Sequence, residues 1–194
     1  MKTKKLLISV LITILSFSAY AQEQARWGFE LSGGSSVAIG KIGDASTKIG
    51  GGFEGIFHYR FMPHAGLYAG WGWNSLAANN SFLGNNVNFE ETGYVFGLQF
   101  KHPIDNSRLS YFVRLGGLYN HIETENTTGD IIHDTKHGLG FQSSVGIDIP
   151  LGGKWSITPG IKFNSLSRTI QPIASFDKMN LNYLSLRIGI LKRF

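Results

Sequence analysis

The sequence contains no cysteine, so no disulfide framework supports the fold and no lipidated cysteine anchors it. Long basic runs are missing too. Lys and Arg number 18 against 13 Asp and Glu, and Lys2, Lys4 and Lys5 supply three of the excess cations within the first five residues. No run of five like charges follows, so a nucleic-acid partner is not implied. A third absence is apolar length. After residue 21 no stretch approaches the ~20 apolar residues that a spanning helix needs. The one apolar run, from Leu6 to Phe17, is too short to span. It is preceded by the basic residues and followed by Ala19-Tyr20-Ala21, a small-x-small cleavage site. Residues 1–21 therefore read as a signal peptide, with 22–194 as a single domain.

What the sequence does have is glycine, 25 residues, and aromatics, 13% of the chain. They alternate. Period-two patterning runs through eight segments: 25–38, 48–61, 66–74, 88–101, 108–121, 136–149, 154–164 and 181–194. Residues at i, i+2 and i+4 share one face of a strand. One face carries large apolar side chains such as Trp27, Phe29, Phe53, Phe57, Trp71, Phe96, Leu115, Phe141, Ile161 and Ile188. The other is small or charged, with Gly52, Gly72, Gly97, Gly116 and Gly160 interleaved with acids and bases. An eight-stranded closed sheet has room inside only for the side chains that fill it. The bulky face does not fit there, so it points outward, and only lipid makes that favourable. A closed barrel is the β-architecture that satisfies every backbone group in a bilayer. The expected fold is all-β, an eight-stranded antiparallel up-and-down transmembrane β-barrel.

Connection lengths alternate in the same sense. Short "MPHA", "HPIDNSR" and "PLGG" interleave with longer stretches after the first strand and near 75–87, 122–135 and 165–180. Short periplasmic turns and longer external loops produce this asymmetry, which puts both termini on the periplasmic side. Trp27, Tyr59, Phe100, Tyr111 and Trp155 fall at the turn ends of their strands, and Trp73, Tyr94 and Tyr119 toward the loops. These are the two interfacial belts.

With the signal peptide, the eight alternating strands, the loop asymmetry and the terminal Phe194 together, the chain resembles the small eight-stranded outer-membrane barrels, the OmpA/OmpX-like porin-family domain. The resemblance implies a bacterial outer-membrane location in contact with outer-membrane lipid. It also implies that the last strand, ending in Phe194, is read by the barrel-assembly machinery and closes the sheet against the first. The family pattern places an apolar or aromatic residue two before the end, and here Lys192 stands there.

Inside such a barrel, Glu30, Glu54 and Glu91 face Arg60, Arg114, Lys162 and Arg187. Buried charges must be paired or they cost several kcal/mol each. The expected role of these seven residues is a lumenal charge network that plugs the barrel; the competing role is a gated polar path for ions. A Ser143–His121 dyad is excluded by register. If Tyr119 pairs with Leu139, Ser143 lies opposite Leu115, about 20 Å of strand from His121. The same register sets His121 opposite His137, with Glu123, His133, Asp134 and Asp130 nearby in sequence, but the spacing matches no fixed metal motif. No catalytic, cofactor or metal-binding set is assigned. The expected function is non-catalytic, structural or surface-interacting through external loops with an unidentified partner. A narrow porin-like channel and, less favoured, a lipid-modifying enzyme are the alternatives.

Overall fold

The computed structural model describes residues 25–169 and 178–194. The first 21 residues, and the two isoleucines at 170 and 173 in the last long connection, lie outside them. Nine strands occur among the described residues: β1 (Trp27–Ala38), β2 (Gly50–Arg60), β3 (Ala65–Ser81), β4 (Gly84–Pro103), β5 (Ser110–Glu125), β6 (Ile131–Asp134), β7 (Gly138–Gly152), β8 (Trp155–Thr169) and β9 (Lys178–Arg193). Eight of them close a ring. Each stave pairs antiparallel with its neighbours, β4 pairs with β5, β5 with β7, and β9 with β1. β6 is a four-residue addition to the upper part of β5. The seam runs from Gly28↔Arg193 to Ala38↔Tyr183. At its end the Phe194 amide donates to the Trp27 carbonyl at 3.1 Å. Closure removes the free edge that an apolar last strand would otherwise expose.

The alternation read from sequence sets the two faces. Phe29, Leu31, Phe57, Phe96, Leu98, Leu115, Leu186 and Ile188 are exposed. Glu30, Glu54, Glu91, Arg114, Lys162 and Arg187 are buried within the ring. Large apolar residues outside and charges inside are the reverse of a water-soluble protein, and they mark the band that lipid covers.

Three features differ from the sequence reading. First, 75–87 is not a loop: β3 and β4 continue through it and reverse at Phe82-Leu83, with Ser81↔Gly84 as the last pair. The polarity of both faces inverts as these strands leave the apolar band. Beyond Trp73 the outward positions become Ser75, Ala77 and Asn79, with Asn88 and Glu90 across the hairpin. The inward positions become Leu76, Ala78, Val87 and Phe89, all buried. The part of the barrel above the lipid band is built like a soluble one, apolar within and polar without. Second, among the described residues four aromatics point inward: Tyr68, Phe89, Phe112 and Tyr183. Glycines make room for them. A Cβ on Gly97 or Gly116 would meet the Tyr68 hydroxyl, and one on Gly146 would meet the Phe112 ring.

The connection between β1 and β2 is not an open loop either. Ile42 and Ala45 exchange backbone hydrogen bonds of 3.0 Å and are fully buried against the upper apolar core. The connection is tied to the β3–β4 hairpin by Lys48 N to Ala77 O at 2.7 Å and by Phe82 N to the Asp44 carboxylate at 2.9 Å.

Candidate functional site

The interior is stacked in layers, which the strands define by presenting every second side chain inward. Nearest the turn end, Lys101 from β4 and Arg193 from β9 both reach Oδ2 of Asp148 on β7, the lysine at 2.5 Å. One layer up, Arg114 grips Glu30 with both terminal nitrogens, at 2.5 and 3.2 Å, while its Nε donates to Gln99 at 2.8 Å. His58 Nε2 lies 3.3 Å from the same Glu30 carboxylate. The bidentate geometry gives this pair two charge-assisted hydrogen bonds.

In the third layer Lys162 donates to Glu54 at 2.8 Å and Gln142 donates to the same oxygen at 2.9 Å. Gln142 in turn accepts from the Tyr68 hydroxyl at 3.2 Å. Asn74 occupies the next level, accepting from Ser36 at 2.5 Å and from Arg187 at 3.2 Å. Glu91 sits higher still, held by Asn120 and the Tyr183 hydroxyl, with Asn164 donating to that hydroxyl at 2.7 Å. Above Glu91 an apolar cluster that includes Leu76, Val87, Phe89 and Ile122 extends up to Ile42 and Ala45, with Thr124 and Arg168 also buried at this end.

Among the seven residues singled out from sequence, the structure brings Glu30 to Arg114 and Glu54 to Lys162. It does not bring Glu91 to a cation within ion-pair distance; amide and phenol donors hold it instead. Arg187 reaches an amide rather than a carboxylate. Arg60 lies at the turn end of β2, where its backbone amide donates to the Arg26 carbonyl, far along the strand from Glu54. Asp148, Arg193, Arg168 and Tyr183 were not singled out. Alternation marks their inward side, but depth is set by strand stagger, which no single strand reveals. Arg168 is buried and donates four hydrogen bonds to the carbonyls of Asn120, Gly138, Leu139 and Ser167, bracing the loop end of β7.

Outside the lumen, Tyr119 pairs with Leu139 and Ser143 with Leu115, which keeps Ser143 and His121 six residues apart along the ladder. His121 and His137 stack with ring centroids 4.3 Å apart. The Nδ1 of His121 lies 2.8 Å from Asp134 and 3.9 Å from Glu123. The Asp134 contact occupies the nitrogen nearest the carboxylates, and the near-parallel rings cannot both aim a lone pair at one ion. At the tip, Asn126, Thr128 and Asp130 form a turn of side-chain hydrogen bonds. The Thr128 hydroxyl and the Asn126 amide hold the Asp130 carboxyl below its ordinary pKa.

A lipid-facing apolar band around a closed ring with a packed polar interior defines an integral transmembrane β-barrel. The chain belongs to the outer membrane protein β-barrel domain family, whose model matches residues 8–194. Solved structures agree in fold. Neisserial surface protein A superposes with a TM-score of 0.64 at 11% identity, over 89% of this chain and 100% of that one. The attachment invasion locus protein Ail of Yersinia pestis, solved with the heparin analogue sucrose octasulfate, gives 0.52 at 13% identity over 87% and 99%. OprG from Pseudomonas aeruginosa gives 0.51 at 12% identity over 89% and 99%. No curated protein sequence matches this chain.

Proposed function

We propose that this is a non-conducting, non-catalytic barrel of the bacterial outer membrane that acts through its external end. The observation that carries the reading is the double filling of the lumen. Ion pairs and amides cross it in successive layers, and above them Ile42 and Ala45 complete an apolar plug. An ion crossing would have to displace paired charges and then traverse an apolar seal, and each step costs several kcal/mol. The working surface is then the protruding β3–β4 hairpin with β5 and β6, on a rigid scaffold of the kind that commonly carries binding.

The chemistry of that surface narrows the partner. Glu90 and Glu123 are directly opposed in the ladder, and Glu125 lies on the same side of β5. Like charges so placed repel a polyanion, so a sulfated saccharide of the kind bound by Ail is disfavoured here, and a cationic or amide-rich partner fits better. In this reading residues 1–21 are removed on export, both termini are periplasmic, and the barrel-assembly machinery reads the Phe194 end. Retention of a small dye by liposomes carrying the refolded barrel tests the proposal. Retention equal to protein-free liposomes agrees with it, and rapid efflux makes the protein a channel instead.

A further inference from the structure

At the turn end, opposite the proposed working surface, the interior opens into a cavity of about 570 Å³. That size suits a small organic ligand, whose sites typically span ~300–1,000 Å³. The turns after β2, β4 and β7 surround its mouth through His64, Pro103 and Lys154. Its charge is lopsided. Among the described residues lining it the only carboxylate is Asp148, and Lys101 and Arg193 both converge on that one group. Both use Oδ2, while Oδ1, itself buried, has no hydrogen-bond partner. Two cations on one acid leave a surplus positive charge before Lys154 is counted. That surplus does not depend on Arg26 and Arg60, which line the same rim.

A second observation points into the same space. His58 lines the cavity, is 8% exposed, and its Nδ1 has no hydrogen-bond partner. A buried ring nitrogen left unpaired costs free energy unless something fills the site. The remaining lining is mixed, with Phe112 and Leu191 apolar and Gln99 and Thr158 polar. A concave, half-apolar site with convergent cations focuses anions and concentrates them at its floor.

We infer that this vestibule binds a small organic phosphate: an anionic head contacting Arg193 and Lys101 beside the His58 ring, with a short apolar portion against the Phe112 and Leu191 side. Arg193 supplies the planar fork that suits phosphate oxygens, and Lys101 a point charge. Asp148 then acts as the internal competitor, holding the two cations when the ligand is absent. A free phosphomonoester and a phospholipid headgroup share this chemistry.

The test is calorimetric titration of the refolded barrel in dodecyl maltoside micelles, independent of which way it faces in a membrane. Hexyl phosphate, inorganic phosphate and dihexanoyl phosphatidylglycerol are the probes. Saturable binding of hexyl phosphate identifies a soluble phosphomonoester, and binding of the glycerophospholipid alone identifies a headgroup. Arg193→Gln weakens either by about tenfold, the loss expected for a charge-assisted pair. Asp148→Asn, by releasing both cations, tightens it severalfold. The proposal is overturned if no probe saturates, or if heat-modifiable Arg193→Gln and Lys101→Gln barrels bind as the parent does.

Discussion

At the residue scale the interior is legible as chemistry but not as pairing. Every inward charge named from sequence lies on the inward side, because a period of two leaves no other choice once the outer face is fixed. Which acid meets which base depends on stagger between strands that are far apart in sequence. Glu30 on β1 reaches Arg114 on β5 across the lumen, and among the described residues no cation lies within ion-pair distance of Glu91. The inward aromatics were hidden for a similar reason. Tyr68 reads as an interruption of a small-residue face until Gly97 and Gly116 are seen to lie opposite it. The Glu30–Arg114 pair gives the sharpest residue-level test. Arg114→Ala strands a buried carboxylate and is expected to destabilise by about 3–5 kcal/mol. The Glu30→Ala/Arg114→Ala double variant should lose clearly less than the sum of the two single losses. Urea unfolding in micelles measures both, and strict additivity would show that the two side chains do not act as a pair.

Individual elements show where the sequence pattern misleads. Eight staves were visible because their outward faces stay apolar across the lipid band. The upper halves of β3 and β4 escaped because the polarity of both faces inverts at Trp73. From there Leu76, Ala78, Val87 and Phe89 keep the same inward phase but carry the apolar character that the outward face had below. A reading that follows one apolar face sees the pattern break and assigns a loop. Native-state hydrogen exchange distinguishes the two: ladder amides within 76–80 and 85–89 should be protected. Fast exchange there, matching the 126–130 tip, would restore the loop. That tip has its own pH signature. The Asp130 carboxyl is held below the ordinary aspartate value of 3.8 by its hydrogen bonds to Thr128 and Asn126. The ionised form is thus the one the turn favours. Its contribution is complete above 3.8 and disappears as pH falls through the lowered value. The amide shifts of Thr128 and Asp130 should accordingly stay constant from pH 7 to pH 5 and move only in stronger acid. Movement between pH 7 and pH 5 would show that the turn does not hold the carboxylate.

For the molecule as a whole, the outer surface marks the lipid band, and the filled interior is the basis of the proposal that the barrel does not conduct. The first was readable from glycine and aromatic alternation alone. The second was readable only in part, since the charge layers were anticipated while the apolar plug of Ile42 and Ala45 was not. That plug comes from a short connection with no periodic signal, and its burial follows from docking on a hairpin that itself read as a loop. Together the two fillings support the proposal that the lumen does not conduct and that the barrel acts through its ends. Single-channel recording of the heat-modifiable, folded barrel in a planar bilayer tests this most directly. The account predicts a silent membrane at all moderate voltages. Steady unitary conductance that changes when Glu54→Gln removes the partner of Lys162 would contradict it and place the function in the lumen.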